Sequence, residues 1–369
     1  MNINPRVLIN KKTGKIYFDR FIPRPLNEIE KELVFDIDLI HLLHRASKFL
    51  LHLSAYLKDN DFSVYIPLFR KIEAYYSLHV SSIEIDPVDI LSGNSKLRSP
   101  NLGFFESYLK ASDFALENYQ NLSFIALNEK INGLLIEDSA CKSGSFRKTN
   151  FVSNIVLTPV HPKDIKCSMN KLSLYFEENS NLSFLIRAAL IYYQFLAISP
   201  FQVGNHRQVK ILILVYFHKQ KLFYQFPLSL SRYFCRNLKI YYEALVDVRS
   251  KGDYLSWIEL FLKGIENTVS QILKMLEKII AIKYKNQKLI MESKYSKTIK
   301  KNLLQLLDYL GLNPVVEIKN ICSDLSKSYP TVASSIEILQ ELNIIYSMNS
   351  NRRNRSYEYR EHFHALFGL

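Results

Sequence analysis

The chain has 369 residues, 48% hydrophobic and 22% charged, which excludes a disordered chain and leaves room for two or three domains. Glycine is scarce (10 residues, against 23 Tyr and 23 Phe), which argues against Gly-rich dinucleotide folds or barrels and for helices. The net charge of +13 is spread along the sequence and permits contact with nucleic acid or an acidic surface without requiring either.

Met1 to Lys12 lacks the apolar stretch of a signal peptide, and the run Ile211 to Phe217 is too short to span a bilayer, so the expectation is a cytoplasmic chain with no membrane partner. Apolar residues at helical spacing, including Leu33, Ile37, Ile40 and Leu57, predict a helix over 29–57 and another follows over Val64–Ser77. His41 and His44 share a face of the first helix without carboxylates or cysteines beside them; they read as partly buried structural histidines, and no metal site is expected. Pro87, Ser92-Gly93-Asn94 and Ser99-Pro100 break the pattern and mark a boundary or surface loop. Helical signals resume from Phe105 and again over Asn121–Leu135. Asn150 to Leu157 is β-prone and closed by Pro159 and Pro162, the one place before residue 300 where a short hairpin is predicted. Helices are then expected at 163–178, 182–197, 205–219 and 229–249, with one or two more from 253 to 290. A lysine-rich stretch from Lys283 to Lys301 marks a domain junction. Beyond it, helices at 300–310, 317–325 and Thr331–Leu342 precede β-prone Ile344–Tyr346 and Ser356–Tyr359, the order of a winged helix-turn-helix. Cys141, Cys167, Cys235 and Cys322 show no CxxC spacing and read as reduced, mostly packed thiols.

The segment 199–210 carries the most chemistry. An apolar helix ending Tyr193-Gln194-Phe195-Leu196 is stopped by Ser199-Pro200, Gly204-Asn205 tolerate positive φ, and another apolar helix starts at once. Unpaired N–H groups and the dipole at such a helix start attract anions, whereas Arg207 and Lys210 oppose the dipole unless an anion is bound. Both an anion cradle and a plain loop-to-helix junction fit these residues.

Ser199-Pro200-Phe201-Gln202-Val203-Gly204-Asn205-His206-Arg207 through Lys210 resembles the signature of the Fic family, HPF-x-D/E-GNGR-x-x-R. Tyr193-Gln194-Phe195 before it, Gly144-Ser145-Phe146-Arg147, the segments at Tyr241–Leu245 and Gly252–Trp257, and Phe21–Leu26 are similar to family segments in the same order. The resemblance implies a mainly α Fic-type helical bundle with a β-hairpin flap at 151–158 that receives a target protein, and transfer of AMP from ATP to a protein hydroxyl. It also implies a division into an N-terminal module (1–98), a Fic domain (99–290) and a winged helix (291–369), with a homodimer as one assembly. Carried over by position, the general base becomes Ser199, the acidic Mg²⁺ ligand becomes Val203, a glycine becomes His206, and the last arginine becomes Lys210. A serine hydroxyl is no base near neutral pH, Val offers no oxygen to a hard cation, and Lys lacks the bidentate fork. No catalytic residue is therefore expected at Ser199, Val203 or His206, while Gly204, Asn205, Arg207 and Lys210 are expected to bind a nucleotide phosphate, with ATP as cofactor and no Mg²⁺ ligand retained. The family's inhibitory helix, S-x-x-x-E-G, resembles the stretch after Glu73-Ala74, where Ser77 is retained and the glutamate and glycine become Ser81 and Ser82; a competing register uses Glu84.

The expected function is that of a catalytically impaired family member acting as a nucleotide- or target-binding regulatory module. Two alternatives stand beside it: an active nucleotidyl- or phosphotransferase using His206 as base, and a DNA-binding regulator. For the last, Arg352, Arg353 and Arg355 lie in the wing, whereas the recognition helix carries Ser334, Ser335, Glu337 and Glu341 and only Gln340 for reading bases.

Overall fold

The computed structural model describes residues 7–9, 16–18, 21–59, 62–91, 99–136, 144–150, 159–178, 180–221, 228, 230–348 and 355–368. The chain opens with an antiparallel pair, β1 (Val7–Ile9) and β2 (Ile16–Phe18), in the register Leu8 opposite Tyr17. This pairing corrects the expectation that residues 150–157 hold the one hairpin before residue 300; the 151–158 flap itself lies outside the described residues.

Helices α1 (Leu26–Glu32) and α2 (Ile37–Asp59) replace the single helix expected over 29–57, because Leu33 turns extended and Asp36 Oδ1 accepts the Leu39 N–H as a new helix start. His41 and His44 are exposed on α2, not partly buried. Helix α3 (Ile66–Val80) follows, and the supposed loop region begins with a short α4 (Pro87–Leu91), for which Pro at the first position is well suited. Next come α5 (Leu102–Asn118), α6 (Phe124–Leu135, capped by Ser123), α7 (Pro162–Glu177), α8 (Phe184–Ile198, capped by Ser183) and α9 (Asn205–Lys219).

Every residue of α8 from Leu185 to Ile198 is buried, which makes it the axis of the bundle. The expected helix at 229–249 is broken at Asn237 into α10 (Leu230–Arg236) and α11 (Leu238–Lys251). The 39-residue α12 (Tyr254–Glu292) is continuous, started by Asp253, whose carboxylate accepts the Ser256 N–H. Tyr192 of α8 packs among Phe234, Tyr241, Trp257 and Phe261, and the Trp257 indole donates to Ala189 O at 2.7 Å.

The C-terminal unit comprises α13 (Lys297–Leu312), β3 (Val315–Glu317), α14 (Ile318–Leu325), α15 (Tyr329–Glu341), β4 (Tyr346–Ser347), β5 (Ser356–Glu358) and α16 (Arg360–Phe367). Its strands form an antiparallel sheet in the order β3-β5-β4, and it has its own core, including Leu303, Leu310, Ile321 and Leu339, to which Ile290 from α12 contributes. Strand β3 and helix α16 are absent from the sequence-based expectation. Helix α16 leaves that unit and buries Phe363, Leu366 and Phe367 in the main core, where Phe367 O accepts from Tyr76 Oη (3.3 Å) and Arg232 Nη2 (3.0 Å). Cys167 is exposed and Cys235 and Cys322 are half-buried, so the thiols are less packed than expected. No helix among the described residues is long and apolar enough to cross a membrane.

Candidate functional site

Three helix ends meet around residues 199–204, the C-termini of α8 and α6 and the N-terminus of α9, and the start of α5 reaches Arg207 through Phe104. Ser199 ends α8 in the left-handed region (φ 42°), and its hydroxyl donates back to Leu196 O at 2.6 Å. Gly204 (φ 87°) starts α9; a Cβ there would meet Ile136 Cδ1 at 3.0 Å in a backbone conformation that L side chains rarely adopt. Asn205 closes the loop on itself, its Nδ2 donating to Phe201 O (2.7 Å) while its Oδ1 accepts the Phe201 N–H (3.1 Å).

Arg147 clamps the outer side. Its Nε donates to Ser199 O (2.8 Å), Nη1 to Thr149 O (3.1 Å) and Nη2 to Val160 O and Ile198 O, and its backbone N–H donates to Pro200 O (3.0 Å). Burial pulls this guanidinium down to about 10, still charged at neutral pH. Asn132 of α6 holds the inner side, donating to Val203 O (3.0 Å) and to Gln208 Oε1 (3.2 Å), and Gln208 donates in turn to Asn128 O and Oδ1 (2.7 and 3.0 Å). Asn128 and Asn132 escaped the sequence reading; the available signal was two polar residues four apart on the buried face of an apolar helix.

The expected site residues do not converge on one point. Gly204, Asn205 and Arg207 lie where the loop joins α9, and Val203 stands 40% exposed with no side-chain oxygen to offer. Arg207 is buried, with its guanidinium carbon 5.2 Å from the Phe104 ring centre and Nη1 3.5 Å from Leu135 O; burial lowers it to about 10. Lys210 lies three residues along α9 and faces α3, where its ammonium donates to Ser77 O (3.0 Å) and Oγ (3.3 Å). Burial lowers its pKa, opposed by Glu73, which accepts from Tyr108 Oη (3.4 Å) and from the Ser231 hydroxyl. Thus Ser77, expected on an inhibitory helix, does touch the loop's cation. Ser81 caps α3 and donates back to Ser77 O (3.1 Å), Ser82 takes the left-handed conformation (φ 58°), and Glu84 is exposed.

His206 points away from the loop opening toward Tyr241 Oη (3.5 Å) and the Tyr242 ring. Burial, and then the Lys210 charge, lower its pKa. Arg352 and Arg353 lie outside the described residues; Arg355 is exposed just before β5. A cavity of about 480 Å³ opens elsewhere, between Phe21, Arg24, Tyr193, Arg249 and Tyr254, and shares no residue with the loop. Among the described residues no cluster of His, Cys, Asp and Glu could hold a metal ion.

Residues 124–217, from the start of α6 to the last turn but one of α9, match the family model of the Fic/DOC family. The chain carries a Fic domain. The fold around that domain agrees: a crystal structure of a Fic family protein from Desulfovibrio desulfuricans superposes with a TM-score of 0.57 at 16% identity, over 88% of this chain and 97% of that one. A Fic domain containing signaling protein from Bacteroides thetaiotaomicron matches at 15% identity over 62% of this chain and 97% of that one, with a TM-score of 0.48. The matched segment holds the loop 199–204, Arg147 and the Asn128–Asn132–Gln208 chain, so the polar scaffold just described is internal to the Fic domain.

Proposed function

We propose that this Fic-domain protein is impaired in nucleotide transfer and acts as a nucleotide- or target-binding regulatory module. The observation that carries the reading is the state of Ser199: the residue at the family's general-base position has its hydroxyl committed to Leu196 O at 2.6 Å, and no carboxylate occurs between 199 and 210. A positioned general base contributes about 10²–10⁴-fold, and without an acidic residue the loop offers no carboxylate ligand for Mg²⁺. His206 is a poor substitute, because a neutral imidazole of lowered pKa, turned toward Tyr241 and Tyr242, is both weakly basic and misplaced. What remains is suited to binding: a helix start, a left-handed Gly204 and the guanidinium of Arg207, with ATP as the nucleotide. Lys210 contributes charge from behind the loop rather than a direct contact. The C-terminal unit, with the element order of a winged helix, serves partner docking in this reading.

Incubation with labelled ATP, GTP and CTP plus Mg²⁺ tests it. No label is expected on the protein. Robust labelling lost in Ser199→Ala overturns the impairment, and labelling lost only in His206→Ala establishes a relocated base. Millimolar ATP should raise the unfolding temperature, and Arg207→Ala should remove that shift.

A further inference from the structure

Arg207 occupies an electrostatically poor place. It sits in the first turn of α9, where a cation opposes the helix dipole, and it has no carboxylate partner among the described residues. Among the described residues its guanidinium makes one hydrogen bond, Nη1 to Leu135 O, which is long at 3.5 Å and goes to the last turn of α6, where carbonyls are left unpaired. A flexible side chain in that setting would sample many rotamers. The guanidinium carbon, however, lies over the ring of Phe104, in the first turn of α5, 5.2 Å from the ring centre. Phe104 is 41% exposed, so its ring is only partly engaged by the core.

We propose that Phe104 is a positioning residue for the anion site: its ring holds the Arg207 guanidinium by one face, so that the in-plane donors Nε and Nη2 are set for a phosphate. The inference rests on the reading of the loop as an anion site. It follows from how a guanidinium works. Its π face is attracted to an aromatic ring, while its N–H groups radiate in the plane and meet phosphate oxygens as a fork. Covering the face therefore uses none of the donors. The hydrogen bond to Leu135 O uses one of the five N–H groups, and those of Nε and Nη2 have no partner among the described residues. Tyr108, one turn further along α5, donates its hydroxyl to Glu73 (3.4 Å) and so leaves Arg207 to Phe104.

The test compares Phe104→Leu, which keeps bulk without the ring, with Phe104→Tyr, which keeps the ring, in the full-length chain. Inorganic tripolyphosphate is the probe, by calorimetry. An exposed cation–π contact corresponds to between about twofold and fivefold in affinity. Phe104→Leu should weaken binding by that factor, Phe104→Tyr should restore it, and Phe104→Leu should have no further effect once Arg207 is Ala. A ligand-free measurement accompanies this: the rate at which phenylglyoxal modifies Arg207, followed by mass spectrometry, should rise in Phe104→Leu and not in Phe104→Tyr. Unchanged modification, or a Phe104→Leu effect that persists without Arg207, overturns the role of Phe104. Tighter binding in Phe104→Leu overturns it too, showing that the ring withholds the arginine. If modification changes as expected but no variant binds tripolyphosphate, the positioning stands and the anion-site reading fails.

Discussion

The loop at 199–208 and the C-terminal unit at 297–368 are stabilised in opposite ways. The C-terminal unit is an apolar core wrapped by short helices and a three-stranded sheet, with Leu303, Leu310, Ile321 and Leu339 at its centre. The loop is held by buried polar groups: Arg147 on the carbonyls of Ile198 and Ser199, Asn205 on both backbone groups of Phe201, and Asn132 on Val203 O. Apolar packing tolerates exchange of one hydrophobic residue for another, but a buried polar network stabilises one geometry only when every member is satisfied. The polar groups that shape the loop, Arg147, Asn132 and Asn205, are thus distinct from Ser199 and Val203, the positions that the resemblance sets against the family's base and acid.

The largest expected effect comes from breaking that geometry. Arg147→Ala removes donors to the buried carbonyls of Val160 and Ile198 and to the part-buried carbonyls of Ser199 and Thr149, and a buried carbonyl left unpaired costs about 1–3 kcal/mol. A loss of roughly 3 kcal/mol or more in chemical unfolding is expected, together with loss of any tripolyphosphate binding. A loss under about 1 kcal/mol would mean that water replaces the clamp at little cost, and the contrast between the two regions would dissolve.

The next effect lies where the C-terminal unit meets the main body, at a buried histidine. His362 of α16 stacks on Tyr359 at 5.1 Å, lies near Tyr65, and has a buried Nε2 without a partner among the described residues. Burial lowers its pKa to about 4, with a backbone hydrogen bond to Gly311 acting the other way. The folded state thus holds the neutral ring. Its contribution is complete above the ordinary value near 6.5 and is lost as pH falls from there toward 4, to a limit of about 3 kcal/mol. His362→Phe should flatten that part of the stability–pH curve. An unchanged slope would place the acid sensitivity elsewhere.

Gly204→Ala is a finer probe of the loop. A left-handed residue with a Cβ costs on the order of 1–2 kcal/mol, and the contact at 3.0 Å with Ile136 Cδ1 adds to it. The expected outcome is modest destabilisation with weakened anion binding, read by thermal shift with and without ATP. Destabilisation with unchanged binding would show that the helix start does not contact the anion.

How much of this the sequence disclosed follows the same division. The long helices, the loop boundaries and the left-handed Gly204 were legible because local periodicity and Gly or Pro punctuation announce them. The breaks at Leu33 and Asn237 were not, since neither carries a Gly or Pro; the N-cap Asp36 was the local signal available for the first. Helix α16 is short, and its apolar residues are explained only by the main core it reaches. In the site, the identity of the loop residues was visible, but their partners were not. Ser77 meets Lys210 across 133 residues, and Phe104 meets Arg207 from a different helix, so no spacing rule connects them.

The smallest expected effect concerns nucleic acid, and it asks whether the C-terminal unit is also a phosphate-binding region. The outward residues of α15 are Ser334, Glu337 and Glu341, which repel a phosphate backbone or contribute little, and Tyr295 already donates to Glu341 at 2.6 Å. Any DNA contact then falls to Arg355 together with Arg352 and Arg353. Each phosphate neutralised contributes roughly −0.9 to the slope of log affinity against log salt, so three contacts give a slope of about −3. Binding should be weak, indifferent to sequence and lost at moderate salt, and replacing the three arginines with alanine should abolish it in a fluorescence-anisotropy titration. Tight binding to one sequence that persists at high salt would require base contacts, and the acidic face of α15 does not supply them. Such a result would assign the positive charge to the C-terminal unit and leave the buried loop arginine as a structural element only.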